Sequence, residues 1–93
     1  MKDDYLEDIH DYGEYINDFE VSPFESIFML HIRSRLKNEY EKLTNEEKKI
    51  LNDYDNELRQ SAHKMYEHLK LAYDFEKSNK PEDEWWWHLD RLV

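Results

Sequence analysis

Apolar residues recur at helical spacing along the first part of the chain. Intervals of four, three, four and three residues place five of them on one face of a helix over about residues 4–20: Tyr5, Ile9, Tyr12, Ile16 and Phe19. Gly13 lies in the middle of this segment, where a glycine costs a helix about 1 kcal/mol. Burial of the apolar face must therefore keep the segment helical.

A second helix is predicted for residues 23–43. Ser22, Pro23 and Glu25 form a capping-box start, with a capping hydroxyl, a proline in the first turn and a glutamate three residues after the cap. A short buried strand over residues 27–32 is the competing local interpretation. The helix has one long apolar face and further apolar residues around its first half, which predicts that other helices surround that half. The face is Phe28, Ile32, Leu36, Tyr40 and Leu43, and the further residues are Phe24, Ile27, Met29 and Leu30.

A third helix is predicted for residues 45–77. Thr44 and Glu47 form a second capping box. The apolar stripe that follows stays in phase, which predicts one continuous helix of about 50 Å, against about 30 Å for the second. One helix must then overhang the other, bend, or be covered by a second copy of the protein. The stripe consists of Leu51, Tyr54, Leu58, Ala62, Met65, Leu69 and Ala72.

The pattern breaks at residues 78–81, and Pro81 can begin a short fourth helix over residues 81–92. The connections between the predicted helices are short, so neighbouring helices should run antiparallel. The chain is therefore predicted to be all-α: an antiparallel up-down helical bundle of three helices plus a short C-terminal fourth helix, in one domain over residues 1–93.

Composition supports the all-α class and limits the chemistry and the cellular location that can be expected of the protein. With 1 Gly and 2 Pro among 93 residues, the turns of a many-stranded β fold have little raw material. There is no Cys, which excludes disulfides, zinc–thiolate sites and a thiol nucleophile. The first residues lack the pattern of a secretory signal, and no apolar run is long enough to span a membrane, so a cytoplasmic location is expected.

The net charge is −10, from 13 basic and 23 acidic residues, and it argues against direct nucleic-acid binding. Eight of the acids lie in residues 1–22, against one Lys. Opposite the apolar face of the first helix, five acids form a stripe that is a candidate docking strip for a basic protein partner. A solvated face, or ion pairs with Arg33, Arg35 and Lys37, are the alternatives. The stripe consists of Asp4, Glu7, Asp11, Glu14 and Asp18.

Three consecutive tryptophans are the second candidate for an interaction site. Trp85 and Trp86 share a face with Leu89 and are expected in the core. Trp87 falls on the polar side, where it either packs under the overhang of the third helix or contacts a partner. The overhang and Trp87 together predict a homodimer.

Catalytic and metal chemistry find little support. Glu7 and His10 have the Glu-x-x-His spacing of di-iron bundles, but such sites need two copies and further glutamates. No serine lies in a Gly-x-Ser-x-Gly elbow, and one glycine cannot form a phosphate-binding loop. No catalytic residue, metal ligand, cofactor or small-molecule substrate is predicted.

The expected function is that of a small acidic intracellular module for protein–protein interaction. An inhibitor, immunity or antitoxin-type protein that binds a basic partner is one concrete version. The alternatives are an adaptor or structural homodimer, a DNA-mimicking acidic protein, and a carboxylate-bridged metal protein.

Overall fold

The computed structural model describes residues 5–92, and it is all-α, without a β-strand in that range. Contacts of α1 with α2 and α3, and of α2 with α4, are compatible with the predicted bundle. The α-helices are α1 (Tyr5–Ile16), α2 (Pro23–Asn38), α3 (Asn45–Gln60) and α4 (Ala62–Leu69), and short 3₁₀ turns occupy Tyr40–Lys42, Phe75–Lys77, Trp85–Trp87 and Leu89–Leu92.

The two predicted capping signals start the central helices. Ser22 Oγ accepts a hydrogen bond from the Glu25 amide at 3.2 Å, ahead of Pro23 in the first turn of α2. At the start of α3 both halves of the capping box form: Thr44 Oγ1 accepts from the Glu47 amide at 3.1 Å, and Glu47 Oε1 accepts from the Thr44 amide at 2.8 Å. These bonds satisfy amides that a helix start leaves without intrahelical partners.

Three helices are shorter than the apolar pattern predicted. α1 ends at Ile16, and α2 ends at Asn38, where the chain continues as a 3₁₀ turn. The predicted third helix bends at Ser61, whose hydroxyl donates to the Glu57 carbonyl at 3.1 Å. A serine that bonds back to the preceding turn bends a helix, because it competes with the backbone donor for that carbonyl. The apolar stripe stays buried across the bend, and α4 ends at Leu69.

This bend removes the predicted overhang. α2 and α3 each have 16 residues, so their lengths match at about 24 Å. Beyond α4 the chain folds back, and the buried Phe75 packs against Tyr66 and Tyr73.

The predicted fourth α-helix is two 3₁₀ turns. His88, between them, has φ −131° and ψ 42°, which interrupts a helix. Its Nε2 donates to the carbonyls of Lys80 and Pro81 at 3.1 and 3.2 Å, so the ring ties the turns to the preceding segment. Trp85–Trp87 packs against α2 and Leu89–Leu92 against α4.

One buried polar cluster joins the first three helices. The Asp55 carboxylate on α3 receives two hydrogen bonds of 2.9 Å from Arg33 on α2, and one of 2.7 Å from the Tyr12 hydroxyl on α1. The Arg33 guanidinium also lies 4.3 Å above the Trp86 ring. Burial, and next the charge of Asp55, raise the pKa of Tyr12 well above its usual value, so Tyr12 stays a hydrogen-bond donor.

Candidate protein-binding surface

Over the residues that the structure describes, the acidic stripe follows α1 and continues past the end of the helix at Ile16 to Asp18. Glu7 and Glu14 are exposed, and Asp11 and Asp18 are half-buried, whereas Asp4 lies outside the described residues. Three of these acids gather at one place: Asp11 and Glu14 are three residues apart on one face of α1, and Asp18, two residues beyond the end of the helix, lines the same groove. Glu7 lies one turn earlier on the same helix.

These three carboxylates line a groove of about 280 Å³, which we call the acidic groove. Its other walls are Tyr15 on α1, Val21 in the connection and Phe28 on α2. The connection turns sharply after α1: the Asp18 amide donates to the Tyr15 carbonyl at 3.2 Å, and Asp18 Oδ1 accepts from the Glu20 amide at 3.0 Å. This turn brings Val21 and Phe28 beside the acids of α1.

The basic residues of α2 pair elsewhere, so the predicted ion pairs with the acidic stripe do not form at the groove. Arg33 pairs with Asp55, Arg35 with Asp8 at 2.9 Å, and Lys37 with Asp83 at 2.9 Å and Glu84 at 3.3 Å. The hydrogen bond between Lys37 and Asp83 lowers the pKa of Asp83 and raises that of Lys37. Among the described residues, no Lys or Arg forms an ion pair with the three groove carboxylates, whose charge faces the groove and solvent.

Trp87 does not lie on this surface. It is 1% exposed, its indole Nε1 donates to Ser34 Oγ at 2.8 Å, and its ring meets His31 edge-on at 4.9 Å. The prediction that Trp87 falls on the polar side, either under the third helix or against a partner, assumed an α-helix, but Trp85–Trp87 is a 3₁₀ turn, so the side chains point in other directions. Trp87 is therefore a core residue, and the predicted homodimer loses both observations that supported it.

Sequence reasoning missed the three most exposed of the large apolar side chains. Phe24 and Leu71 are each 73% exposed and Phe28 is 55% exposed, although Phe24 and Phe28 were predicted to lie among other helices. Phe24 and Leu71 border a second recess of about 490 Å³, which we call the apolar cleft. Its aromatic walls are Tyr66, Tyr73 and Phe75. A signal was present in the sequence, because His31 and Arg35 extend the Phe24–Phe28 face of α2 as polar residues.

The described residues offer no comparable site for a metal. No group of three His, Asp or Glu side chains within residues 5–92 is arranged to hold an ion, and His10 Nδ1 instead lies 3.2 Å from the Tyr54 hydroxyl. The helices of this range are also too short and too polar to cross a bilayer. No protein-family model matches the chain, and no match was found among curated proteins or solved structures.

Proposed function

We propose that this protein binds a basic protein partner on the acidic groove and has no catalytic activity of its own. One observation carries the proposal: three carboxylates that no described cation pairs with line a groove beside the exposed ring of Phe28. Such a groove attracts Lys and Arg side chains, and complementary charge speeds association and selects partners. An inhibitor, immunity or antitoxin-type protein is the concrete form that we favour. Its cytoplasmic location remains a prediction.

Affinity capture from the native host, followed by mass spectrometry, tests the proposal with three versions of the protein. The groove variant carries Asp11→Asn, Glu14→Gln and Asp18→Asn. The matched control carries Glu41→Gln, Glu46→Gln and Asp53→Asn, which remove the same charge from exposed positions that line neither recess. We expect a basic protein to be retained by the wild type and the control, and to be lost with the groove variant.

The purified partner then allows the association rate to be measured. We expect the groove variant to associate at least about tenfold more slowly, with a weaker dependence on salt, because electrostatic steering is removed. An identical set of retained proteins for all three versions would contradict the proposal. If the partner binds through its own nucleic-acid cleft, the DNA-mimicking alternative applies. Light scattering of the purified protein tests the alternative of a homodimer, which a monomer at high concentration would contradict.

A further inference from the structure

The acidic groove and the apolar cleft lie on either side of one exposed turn of α2. Phe28 lines the groove and Phe24 lines the cleft. The two phenylalanines are four residues apart, so they stand on the same face of α2 about 6 Å apart along its axis. Phe24 and Phe28 therefore form an exposed aromatic ridge, one residue of which lines each recess, and a ligand that covers this ridge can contact both recesses.

The ridge of Phe24 and Phe28, with Leu71 beside it in the apolar cleft, is apolar and uncovered within the described chain. Phe24 and Leu71 expose 73% of their surface and Phe28 exposes 55%, whereas the core residues of α2 such as Met29, Leu30 and Leu36 are fully buried. Monomeric proteins rarely leave several large apolar side chains grouped in this way, and such patches mark interaction sites. A purely polar ligand of the acidic groove would leave this ridge in water.

The charge around the ridge defines the chemistry of the ligand. Asp74 and Glu76 line the apolar cleft, in addition to the three carboxylates of the acidic groove. Lys70 also lines the cleft, but it pairs with Glu67 at 2.7 Å. A second copy of this chain carries a net charge of −10, and nucleic acids and anionic lipid surfaces are negative as well, so like charge opposes all three. The ligand that fits is apolar on one side and basic on the other.

The fold also restricts how a peptide can bind. Residues 5–92 contain no strand, so they offer no sheet edge to which an extended peptide could add. An amphipathic helix can pack its apolar face against a helical ridge such as Phe24 and Phe28, and its anchors recur at the same spacing of three and four residues.

We propose that the acidic groove and the apolar cleft together bind one amphipathic, basic α-helix of the partner. Its apolar side chains cover Phe24, Phe28 and Leu71, and its Lys and Arg side chains face the carboxylates of the acidic groove. This inference rests on the proposed function, and it adds the conformation and the chemistry of the segment that the partner contributes.

Selection from a displayed library of random 20-residue peptides tests the inference. We expect the wild-type protein to select sequences with apolar residues at intervals of three and four and with Lys or Arg on an adjacent face. A synthetic peptide of the selected sequence should gain helical circular dichroism on binding. The cleft variant, Phe24→Ser with Leu71→Ser, and the groove variant should each bind it at least tenfold more weakly. The control variant Glu41→Gln, Glu46→Gln, Asp53→Asn should bind it as the wild type does.

Each other outcome overturns the inference in a recognisable way. Basic peptides that lose affinity with the groove variant but not with the cleft variant overturn the amphipathic helix and leave the proposed function standing. No selected peptide, or peptides insensitive to both variants, overturn the inference, whereas the proposed function is overturned only by the capture experiment. Proline-rich peptides, or a dimer that the cleft variant dissociates, assign the ridge to another occupant. An unchanged urea midpoint shows that the cleft variant is folded.

Discussion

Asp55 and Asp11 are aspartates on two helices that pack together, yet their surroundings differ completely. Asp55 is 3% exposed, and its carboxylate accepts hydrogen bonds from Arg33 and Tyr12. Asp11 lines an open groove and pairs with no described Lys or Arg. The buried carboxylate fixes how α1, α2 and α3 meet, because each helix contributes one member of its cluster. Asp11 has no such pairing among the described residues, which leaves its charge available to the proposed partner.

Aromatic residues show the same contrast. Trp87 is buried and its indole is hydrogen-bonded, whereas Phe24 is 73% exposed. A tryptophan needs a hydrogen-bond acceptor inside the core, and Ser34 supplies one. A phenylalanine needs only apolar cover, and the described chain does not cover Phe24. The indole of Trp87 therefore has its partner inside the core, whereas the surface beside α2 leaves the ring of Phe24 uncovered.

Removal of the central buried carboxylate should cause the largest loss of stability. Asp55→Ala leaves the Arg33 guanidinium buried without its counter-ion, so we expect a loss of about 3–5 kcal/mol in the free energy of unfolding. Urea denaturation followed by circular dichroism measures it. Asp53→Ala is the matched control: it breaks an exposed pair with Lys49 of 3.2 Å and should cost less than about 1 kcal/mol. Equal losses for the two variants would refute the contrast between interior and surface.

Ser34→Ala should cause the second-largest loss in the free energy of unfolding. Its Oγ accepts from the indoles of Trp86 at 3.0 Å and Trp87 at 2.8 Å, and donates to Glu84 Oε1 at 2.6 Å. Ser34→Ala leaves two buried donors without an acceptor, so we expect a loss of about 2–3 kcal/mol, with a change in tryptophan emission. Ser78→Ala removes a hydroxyl that bonds only to Tyr73 in the described structure, and it should cost about 1 kcal/mol. A loss no larger than this control would mean that Ser34 does not hold the tryptophans.

Gly13 should show a smaller effect with an informative sign. A Cβ at this position overlaps the ring of Tyr54, so that ring must shift to admit an alanine, although the sequence alone marks the glycine as a weakness of α1. Overpacking of about 1–3 kcal/mol is offset by a gain of about 1 kcal/mol in helix propensity, so we expect Gly13→Ala to lose about 0–2 kcal/mol net. In the background of Tyr54→Ala the same substitution should become neutral or stabilising. A double-mutant cycle of unfolding free energies measures this coupling.

Local signals predicted the parts of the fold that depend on nearest neighbours. The caps at Ser22 and Thr44 and the buried face of α1 were readable, because a cap involves four residues and a face follows the period of 3.6. The bend at Ser61 could not be predicted, because it depends on the carbonyl to which one serine hydroxyl donates. Neither a glycine nor a proline marks the position. Asp55 lies on the apolar face of α3, and only its ion pair with Arg33 on α2 explains why a carboxylate is buried there.

The candidate surface was half predictable. The three acids of the groove were named from spacing alone, whereas the apolar ridge was misplaced. Successive steps of four residues drift about 40° around a helix, so Phe28 and Leu36, two steps apart, differ by about 80° in direction. Leu36 is buried and Phe28 is exposed. Trp87 was misplaced because a direction of about 100° per residue does not apply to a 3₁₀ turn.

Protonation of His31 should have the smallest effect, and it separates the edge of the core from the surface. His31 is exposed, but its ring lies against Trp87, and desolvation by these neighbours, and next the charge of Lys80, lower its pKa below the ordinary value of 6.5. The unfolded chain then binds more protons than the folded chain between the two pKa values. The contribution of His31 is therefore fully present above about pH 6.5 and is lost as the pH falls through that value toward the folded pKa.

Unfolding free energies at pH 7.5 and pH 5.5 measure this contribution. We expect the wild type to lose more stability between these values than His31→Gln does. Lys80→Gln removes the neighbouring charge that lowers the pKa of His31, so it should also reduce the pH dependence while keeping the histidine. His63→Gln, at an exposed histidine, is the control and should follow the wild-type curve. If His31→Gln and His63→Gln have the same pH dependence, the contact of His31 with Trp87 does not link its protonation to the stability of the core.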